Sequence, residues 1–155
     1  MPRPEAESAT GVAASYITLE YFPSLRSPYS AISYDRTIDL TKRSGVTLKL
    51  RPVMPMMMRG VPAPRAKQFY IMTDAKREAD YYGIPFGNIV DPFGEPVKRA
   101  FALFPYMQEI GREVEYCSNY LRAAWAEGIN ITSDAGLKSV VIESGGNWEE
   151  AIKRN

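Results

Sequence analysis

The residues best placed to do chemistry are a serine and its two successors, Ser27, Pro28 and Tyr29. Serine is a preferred N-cap and proline is favoured at the first helical position, so they predict a helix that begins at Pro28. A helix N-terminus has unpaired N–H groups and a partial positive charge, which stabilise an anion. A serine hydroxyl there cannot exchange disulfides, but it can donate a hydrogen bond to a thiolate. Two interpretations stay open: Ser27 activates a thiol that another molecule supplies, or it only caps the helix.

The composition removes several other kinds of chemistry. The chain has no histidine, which excludes a Ser-His-Asp triad, a Cys-His dyad and the commonest metal ligand. It has one cysteine, Cys117, and therefore neither an intrachain disulfide nor a C-x-x-C redox pair. Cys117 lies on the apolar stripe of a predicted helix, which indicates a buried structural thiol. We expect no metal site.

Charge and hydropathy limit the partners and the compartment. With 19 basic and 18 acidic residues the net charge is +1, so bulk charge predicts binding neither to nucleic acid nor to an anionic membrane. The sequence contains no run of about eighteen apolar residues, so no helix is expected to span a membrane. Residues 1–15 are rich in Pro, Ala, Glu and Ser and lack the apolar stretch of a signal peptide. They predict a disordered leader, and the protein is expected to be cytoplasmic.

The elements around Ser27 predict a strand–helix–strand unit. Residues 16–22 are rich in β-branched and aromatic side chains, and residues 46–51 alternate apolar and polar, so both segments predict strands. The helix between them is expected to end near Arg43, with Gly45 as its C-cap. Short connections of this kind predict parallel strands with a right-handed crossover. Ligands of open α/β folds bind just beyond the carboxyl ends of such strands, where Ser27 lies.

A proline-rich loop follows, at residues 52–64, with three consecutive methionines at residues 56–58. Loops of this length are often functional. The methionines predict either an adaptable apolar wall for an aromatic substrate or ordinary packing. The rest of the chain predicts helices at residues 65–82, 96–110, 112–127 and 133–143, and the start of another at residues 146–150.

Two strands are too few for a parallel sheet that stands alone, because both edges stay unpaired. Either another chain supplies strands or the sequence is part of a longer fold. We divide the chain into an N-terminal βαβ part (16–64), a helical insertion (65–145) and a segment that starts the return to the βαβ part (146–155).

Three segments resemble 2-hydroxychromene-2-carboxylate isomerases and kappa-class glutathione transferases. Residues 22–51 carry Ser-Pro-Tyr-Ser between the two strands, and Leu50-Arg51-Pro52 stands at the end of the second strand. Residues 64–74 match the pattern P-x-x-K-x-x-Y-x-x-x-D, and residues 125–131 are Trp-Ala-Glu-Gly-Ile-Asn-Ile. The likeness spans roughly residues 16–145. It implies an α/β fold of the thioredoxin-like, DsbA-like type with a large helical insertion, whose sheet is incomplete in this chain.

The resemblance implies an enzyme, a glutathione-dependent isomerase or a kappa-like transferase. It implies that Ser27 activates the thiol of glutathione for attack on a small aromatic-derived substrate. Lys67 would help to bind glutathione, and Tyr29, Pro62 and Pro64 would line the site. The implied cofactor is glutathione, and the implied assembly is a homodimer or a pairing with another chain.

The chain also departs from the family pattern. Residues 59–62, Arg-Gly-Val-Pro, lack the loop asparagine that lies near glutathione in the family, and Asn130 stands where aspartate is usual. We also expect the chain to lack the family's C-terminal hairpin and helix. These departures favour an alternative, a catalytically inactive thioredoxin-like binding or assembly module. Tyr70 and Asp74 predict, more simply, a core aromatic and a surface or helix-pairing carboxylate.

Overall fold

The computed structural model describes residues 17–43 and 45–154, so the predicted leader at residues 1–15 lies outside the described residues. Strands β1 (Ile17–Tyr21) and β2 (Val46–Leu50) pair in parallel along their whole length. Within the described part of the chain they form a sheet of two strands. The predicted βαβ unit is therefore confirmed.

Helix α1 (Pro28–Thr41) connects the strands and begins where the sequence predicts. Its N-cap is Ser27, with extended backbone angles, and Pro28 is the first helical residue. Its C-cap is Lys42 in a right-handed conformation, so the expected role of Gly45 is wrong. Gly45 instead takes a φ of +78°, which glycine tolerates best, and its carbonyl accepts a hydrogen bond from Ile17 N (2.7 Å) beside β2.

The proline-rich loop contains a short 3₁₀ helix at Met56–Arg59, which takes up the three methionines. The following elements are α2 (Arg65–Tyr82), α3 (Glu95–Glu109), α4 (Glu113–Arg122), a π-helix (Ala123–Glu127), α5 (Asp134–Glu143) and α6 (Trp148–Lys153). The segment 112–127, predicted as one helix, is thus an α-helix that widens into a π-helix. No helix in the described ranges is long and apolar enough to cross a membrane.

The main core lies among α1 and the later helices. Tyr34 of α1 is buried, and its hydroxyl donates a hydrogen bond to Val114 O (2.9 Å) of α4. Its ring also lies 5.8 Å from that of Tyr21, which connects the sheet to the same core. Tyr116 is buried too and donates to Ala100 O (2.7 Å) of α3. Buried phenols that keep a hydrogen bond avoid the desolvation cost of an orphaned polar group. The bond of Tyr34 holds α1 against α4, and that of Tyr116 holds α4 against α3.

Candidate functional site

Ser27 lies in the turn between β1 and α1, half-buried, and the local sequence determines its geometry. Its backbone N–H donates to Ser24 O (3.1 Å), while Ser24 N donates to the hydroxyl of Ser30 (3.1 Å). The Oγ of Ser27 accepts a hydrogen bond from Ser30 N (3.3 Å) as an N-cap does. The hydroxyl proton of Ser27 has no acceptor among the described residues, so capping leaves it available as a donor.

The cavity beside the α1 N-terminus has a volume of about 620 Å³ and is open to solvent. The turn before α1, the proline-rich loop, α2 and the loop before α3 surround it. Ser27, Tyr29 and Lys67 all line it. Pro62 and Pro64 are not among its lining residues, but Ala63 between them is. The structure thus brings three of the five predicted site residues to one cavity and places the other two at its margin.

The charged side chains that line the cavity are mostly positive. Arg26, Arg59 and Lys67 are cations, and Asp91 is the acid among them. Arg26 is neutralised by Asp91, and Arg59 Nε donates to Met54 O (3.0 Å). The ammonium of Lys67 has no ion-pair partner within the described residues. The remaining positive charge favours an anionic ligand.

Tyr29 is held at the cavity by α2. Its hydroxyl donates to Asp74 Oδ2 (2.7 Å), so Asp74 joins α1 to α2 as a helix-pairing carboxylate. Burial and, after it, the hydrogen bond and charge of Asp74 raise the pKa of Tyr29 to about 12. At neutral pH Tyr29 is therefore a neutral phenol whose proton is already donated to Asp74, which makes it a poor proton donor to a ligand.

Tyr70 is not the core aromatic that the sequence predicts. It is 57% exposed and lines the cavity, because α2 presents it at the cavity rather than towards the main core.

The methionines divide between the two expected roles. Met56 and Met57 line the cavity, whereas Met58 packs against the main core.

The cavity lining includes residues that the sequence analysis did not single out, among them Arg26, Asp91 and Trp125. Asp91 makes a local turn, in which its Oδ1 accepts a hydrogen bond from Phe93 N (3.1 Å). Trp125 belongs to the segment 112–127 that the sequence predicts as a helix, and it is 3% exposed. No local signal marks any of them as cavity residues, because what brings each to the cavity is a partner far away in the chain.

The single cysteine takes no part in this site. Cys117 is fully buried on α4, as predicted, and does not line the cavity. Burial raises the pKa of its thiol far above the usual range, which disfavours the reactive thiolate. Among the described residues no group of His, Cys, Asp and Glu could hold a metal ion. Any thiol chemistry in the cavity therefore needs a thiol from outside the chain.

Comparisons with known proteins agree with this fold. A solved structure of a 2-hydroxychromene-2-carboxylate isomerase aligns with a TM-score of 0.72 at 20% identity, over 89% of this chain and 70% of that one. A structure from Nitrosomonas europaea assigned as a protein disulfide isomerase aligns with a TM-score of 0.63 at 17% identity, over 88% and 73%. One from Streptomyces coelicolor assigned as a DsbA oxidoreductase has a TM-score of 0.65 at 14% identity, over 88% and 66%.

These identities are low, so the structural likeness shows a shared fold and no more. A search of curated proteins finds no match by sequence. The family profile of the DSBA-like thioredoxin domain, however, matches residues 18–154. The fold that the sequence predicts is therefore confirmed, and the chain belongs to the family of DSBA-like thioredoxin domains.

Proposed function

We propose that the protein binds glutathione in the large cavity and activates its thiol for a glutathione-dependent isomerisation, or for a transfer, on an aromatic-derived substrate. The observation that carries this proposal is Ser27. Its hydroxyl lines the cavity at the N-terminus of α1 and keeps an uncommitted proton, while the position in the chain holds no cysteine. The reaction would run in the cytoplasm, where glutathione keeps thiols reduced.

The chemistry of the thiol follows from the α1 N-terminus. The hydroxyl of Ser27 would donate a hydrogen bond to the sulfur, and the partial positive charge of the helix would favour the thiolate. The backbone N–H of Tyr29 has no acceptor among the described residues and adds a second donor at this end. Stabilising the anion lowers the thiol pKa, and the released proton passes to solvent.

Glutathione also needs groups that hold its carboxylates. Lys67 and Arg59 supply positive charge on the cavity wall. Lys67 is the better candidate for direct contact, because its side chain is exposed and makes no ion pair within the described residues, whereas Arg59 already donates to Met54 O.

The second substrate would lie against the apolar part of the cavity, where Met56 and Met57 offer an adaptable wall. The thiolate adds to an electron-poor carbon of a conjugated double bond: the C–S bond forms and the π electrons move to the conjugated oxygen. In an isomerisation the resulting single bond rotates, the C–S bond breaks, and the electron pair returns to sulfur, which regenerates glutathione. In a transfer the adduct takes a proton from water and leaves.

The test is glutathione binding by isothermal titration calorimetry, with the ultraviolet absorbance of the thiolate followed in parallel. Wild type is expected to bind and to show the thiolate signal, and Ser27→Ala is expected to show a weaker signal. Ser133→Ala is the matched control, because Ser133 caps α5 in the same way, accepting from Gly136 N (3.1 Å), and does not line the cavity. Absence of glutathione binding by wild type contradicts the proposal, and so does an unchanged signal in Ser27→Ala.

A second candidate function is a catalytically inactive binding or assembly module. The two-stranded sheet favours it, because within the described residues β1 and β2 each pair only with the other. Ile17 (61%) and Phe22 (52%) lie exposed in and beside β1, an arrangement that suits pairing with another chain. Sedimentation equilibrium tests this candidate: a dimer that binds no glutathione supports it, and a monomer that binds glutathione contradicts it.

A further inference from the structure

The proposed reaction creates a negative charge that needs a partner on the cavity wall. When the thiolate adds to the conjugated double bond, the π electrons move to the conjugated oxygen, which becomes an oxyanion. Fixed hydrogen-bond donors aimed at such a developing charge usually supply the largest single part of catalysis. The reaction therefore needs a donor that lies close both to Ser27 and to the apolar wall of the cavity.

Arg26 borders both of these features. It immediately precedes Ser27, the residue assigned to the sulfur. Its Nη1 donates to the sulfur of Met57 (3.6 Å), which belongs to the wall assigned to the second substrate. Arg26, Ser27 and Met57 all line the large cavity. The side chain of Arg26 is 23% exposed, so a molecule in the cavity can contact it.

The guanidinium of Arg26 also has donors that the protein does not use. An arginine side chain carries five N–H groups, and Asp91 accepts from two of them, one on Nε and one on Nη2. Met57 accepts from a third, although a thioether sulfur is a weak acceptor. The other two have no acceptor among the described residues. Because an anionic oxygen accepts a charge-assisted hydrogen bond, it is a better partner for Nη1 than the sulfur is.

Arg26 is held in one orientation before a ligand arrives. Asp91 binds one edge of the guanidinium, and the ring centroid of Phe93 lies 4.6 Å from its central carbon. A donor that is already oriented needs little reorganisation when the charge develops. Asp91 offsets part of the positive charge of Arg26. However, Asp91 is 47% exposed and partly screened, and Lys67 and Arg59 keep the cavity wall positive.

We propose that Arg26 stabilises the oxyanion that forms on the substrate when the thiolate attacks. The inference deepens the proposed function and rests on it, since that function supplies the thiolate. As the C–S bond forms, the electron pair of the double bond moves to the oxygen, which accepts a hydrogen bond from Arg26. No proton is transferred, because a guanidinium does not deprotonate in proteins. Arg26 therefore selects substrates whose double bond is conjugated to an oxygen.

The first experiment measures the contact without a reaction. In 4-nitrophenolate the oxygen carries a negative charge that is conjugated with a ring, and the visible absorbance of the anion reports its ionisation. The probe 4-nitroanisole has the same ring and no charge. Wild type is expected to bind 4-nitrophenolate more tightly than 4-nitroanisole, and to hold the pKa of bound 4-nitrophenol below its value in water. The titrations contain no glutathione, so their outcome does not depend on the proposed cofactor.

The second experiment removes the donor and keeps the net charge of the cavity, in the double variant Arg26→Met/Asp91→Asn. We expect it to bind 4-nitrophenolate about tenfold more weakly, the effect of one hydrogen bond to a charged group, and 4-nitroanisole as wild type does. A merely structural role of Arg26 would weaken both probes alike. Arg99→Met/Asp134→Asn is the matched control, because this pair also joins distant parts of the chain and does not line the cavity. It is expected to bind both probes as wild type does.

Three results overturn the inference. The first is a wild-type protein that does not bind 4-nitrophenolate, or binds it no more tightly than 4-nitroanisole. The second is equal 4-nitrophenolate affinity in the double variant and wild type, and the third is an equal loss of affinity for both probes. If the double variant does not fold, Asp91→Asn alone decides. It frees Arg26, so 4-nitrophenolate is expected to bind more tightly at low salt, and an unchanged or lower affinity overturns the inference.

The glutathione titration separates this inference from the proposed function. A wild-type protein that does not bind glutathione contradicts the proposed function, whatever the two probes show. Intact glutathione binding beside any of the overturning results contradicts only the role of Arg26.

Discussion

The guanidinium of Arg26 and the carboxylate of Asp91 form a two-point ion pair at the cavity wall. Arg26 Nε lies 3.0 Å from Asp91 Oδ1, and Nη2 lies 2.9 Å from Oδ2. The ring centroid of Phe93 lies 4.6 Å from the guanidinium carbon, and Met57 Sδ accepts from Nη1 (3.6 Å). The pair joins the turn before α1 to the loop before α3, so it fixes the residue next to Ser27.

Asp91→Asn is expected to weaken this joint. The side chains are 23% and 47% exposed, so the two-point geometry contributes about 1 kcal/mol to the free energy of unfolding. Because Arg26 then has no counter-charge, the same variant is expected to bind anionic glutathione more tightly at low salt. Urea unfolding and calorimetry measure the two effects. Asp39→Asn is the control, since its pair with Lys42 is exposed on both sides and is expected to change neither quantity. Equal stability of Asp91→Asn and wild type would show that the Arg26–Asp91 ion pair does not stabilise the fold.

The raised pKa of Tyr29 predicts a loss of stability at alkaline pH. In the unfolded chain the phenol titrates near its ordinary pKa of 10.0, and in the folded protein near 12, mainly because of burial and then because of Asp74. Between these values the folded state binds the proton more tightly, so stability falls as pH rises. The stability difference between wild type and Tyr29→Phe is expected to stay constant below about pH 10 and to shrink from there towards 12. Urea unfolding at a series of alkaline pH values gives the result, and a difference that stays constant across this range contradicts the raised pKa.

Asp74→Asn separates the two causes of that shift. It removes the negative charge and leaves the burial, so the alkaline loss of stability is expected to become smaller but not to vanish. Other tyrosines with raised pKa values are present in every variant compared and cancel in the differences. The same urea series measures the effect. An Asp74→Asn protein with the same pH dependence as wild type would show that Asp74 has no influence on Tyr29.

The buried thiol of Cys117 is expected to be inert in the folded protein. Full burial raises its pKa and blocks access, so a disulfide reagent can reach it only when the structure opens. With a native state of ordinary stability, the reaction is expected to be at least about a thousandfold slower than in urea. Glutathione binding measured with the reagent-treated native protein should therefore equal that of the untreated protein. Fast modification of the native protein would instead reopen thiol chemistry by the chain itself.

Features that depend on neighbouring residues could be predicted from the sequence. The Ser27 cap needs only the residues beside it, and α2 runs from Arg65 to Tyr82 as predicted, because proline precedes it and Gly83 ends it with a φ of +65°. The parallel strands follow from the length of the connection. The position of Lys67 on the cavity wall could also be predicted, because Lys67 belongs to a segment that resembles a known family.

Features that depend on distant partners could not be predicted in this way. The Arg26–Asp91 pair joins residues 65 positions apart, and the local hydrogen bond that Asp91 accepts from Phe93 N is a simpler reason for an aspartate at this position. At the π-helix that follows α4, the carbonyls of Trp125 and Ala124 accept hydrogen bonds from Gly87 and Val90, which lie more than thirty residues earlier in the chain. Periodicity alone thus predicts that Trp125 is buried but not that its N–H finds no acceptor in the described part of the chain.

Substitutions of Ser27 by aspartate and threonine can separate capping from thiol activation. Aspartate is as good an N-cap as serine, so Ser27→Asp is expected to keep the free energy of unfolding within a few tenths of a kcal/mol, whereas Ser27→Ala loses about 1 kcal/mol. The expected effect of the same variants on the pKa of the bound thiol follows a different order. Aspartate brings a negative charge, which raises the pKa of the bound thiol, and alanine brings no donor.

Ser27→Thr completes the series because it retains both the cap and the hydroxyl. If Ser27 donates to the sulfur, the thiolate signal of bound glutathione is expected to persist in Ser27→Thr, to weaken in Ser27→Ala and to be lowest in Ser27→Asp, the variant with an intact cap. If Ser27 only caps α1, the signal follows stability, and Ser27→Asp behaves as wild type does. Stability and thiolate formation thus place Ser27→Asp at opposite ends of their scales, and a wild-type thiol pKa in Ser27→Asp would reduce Ser27 to a cap.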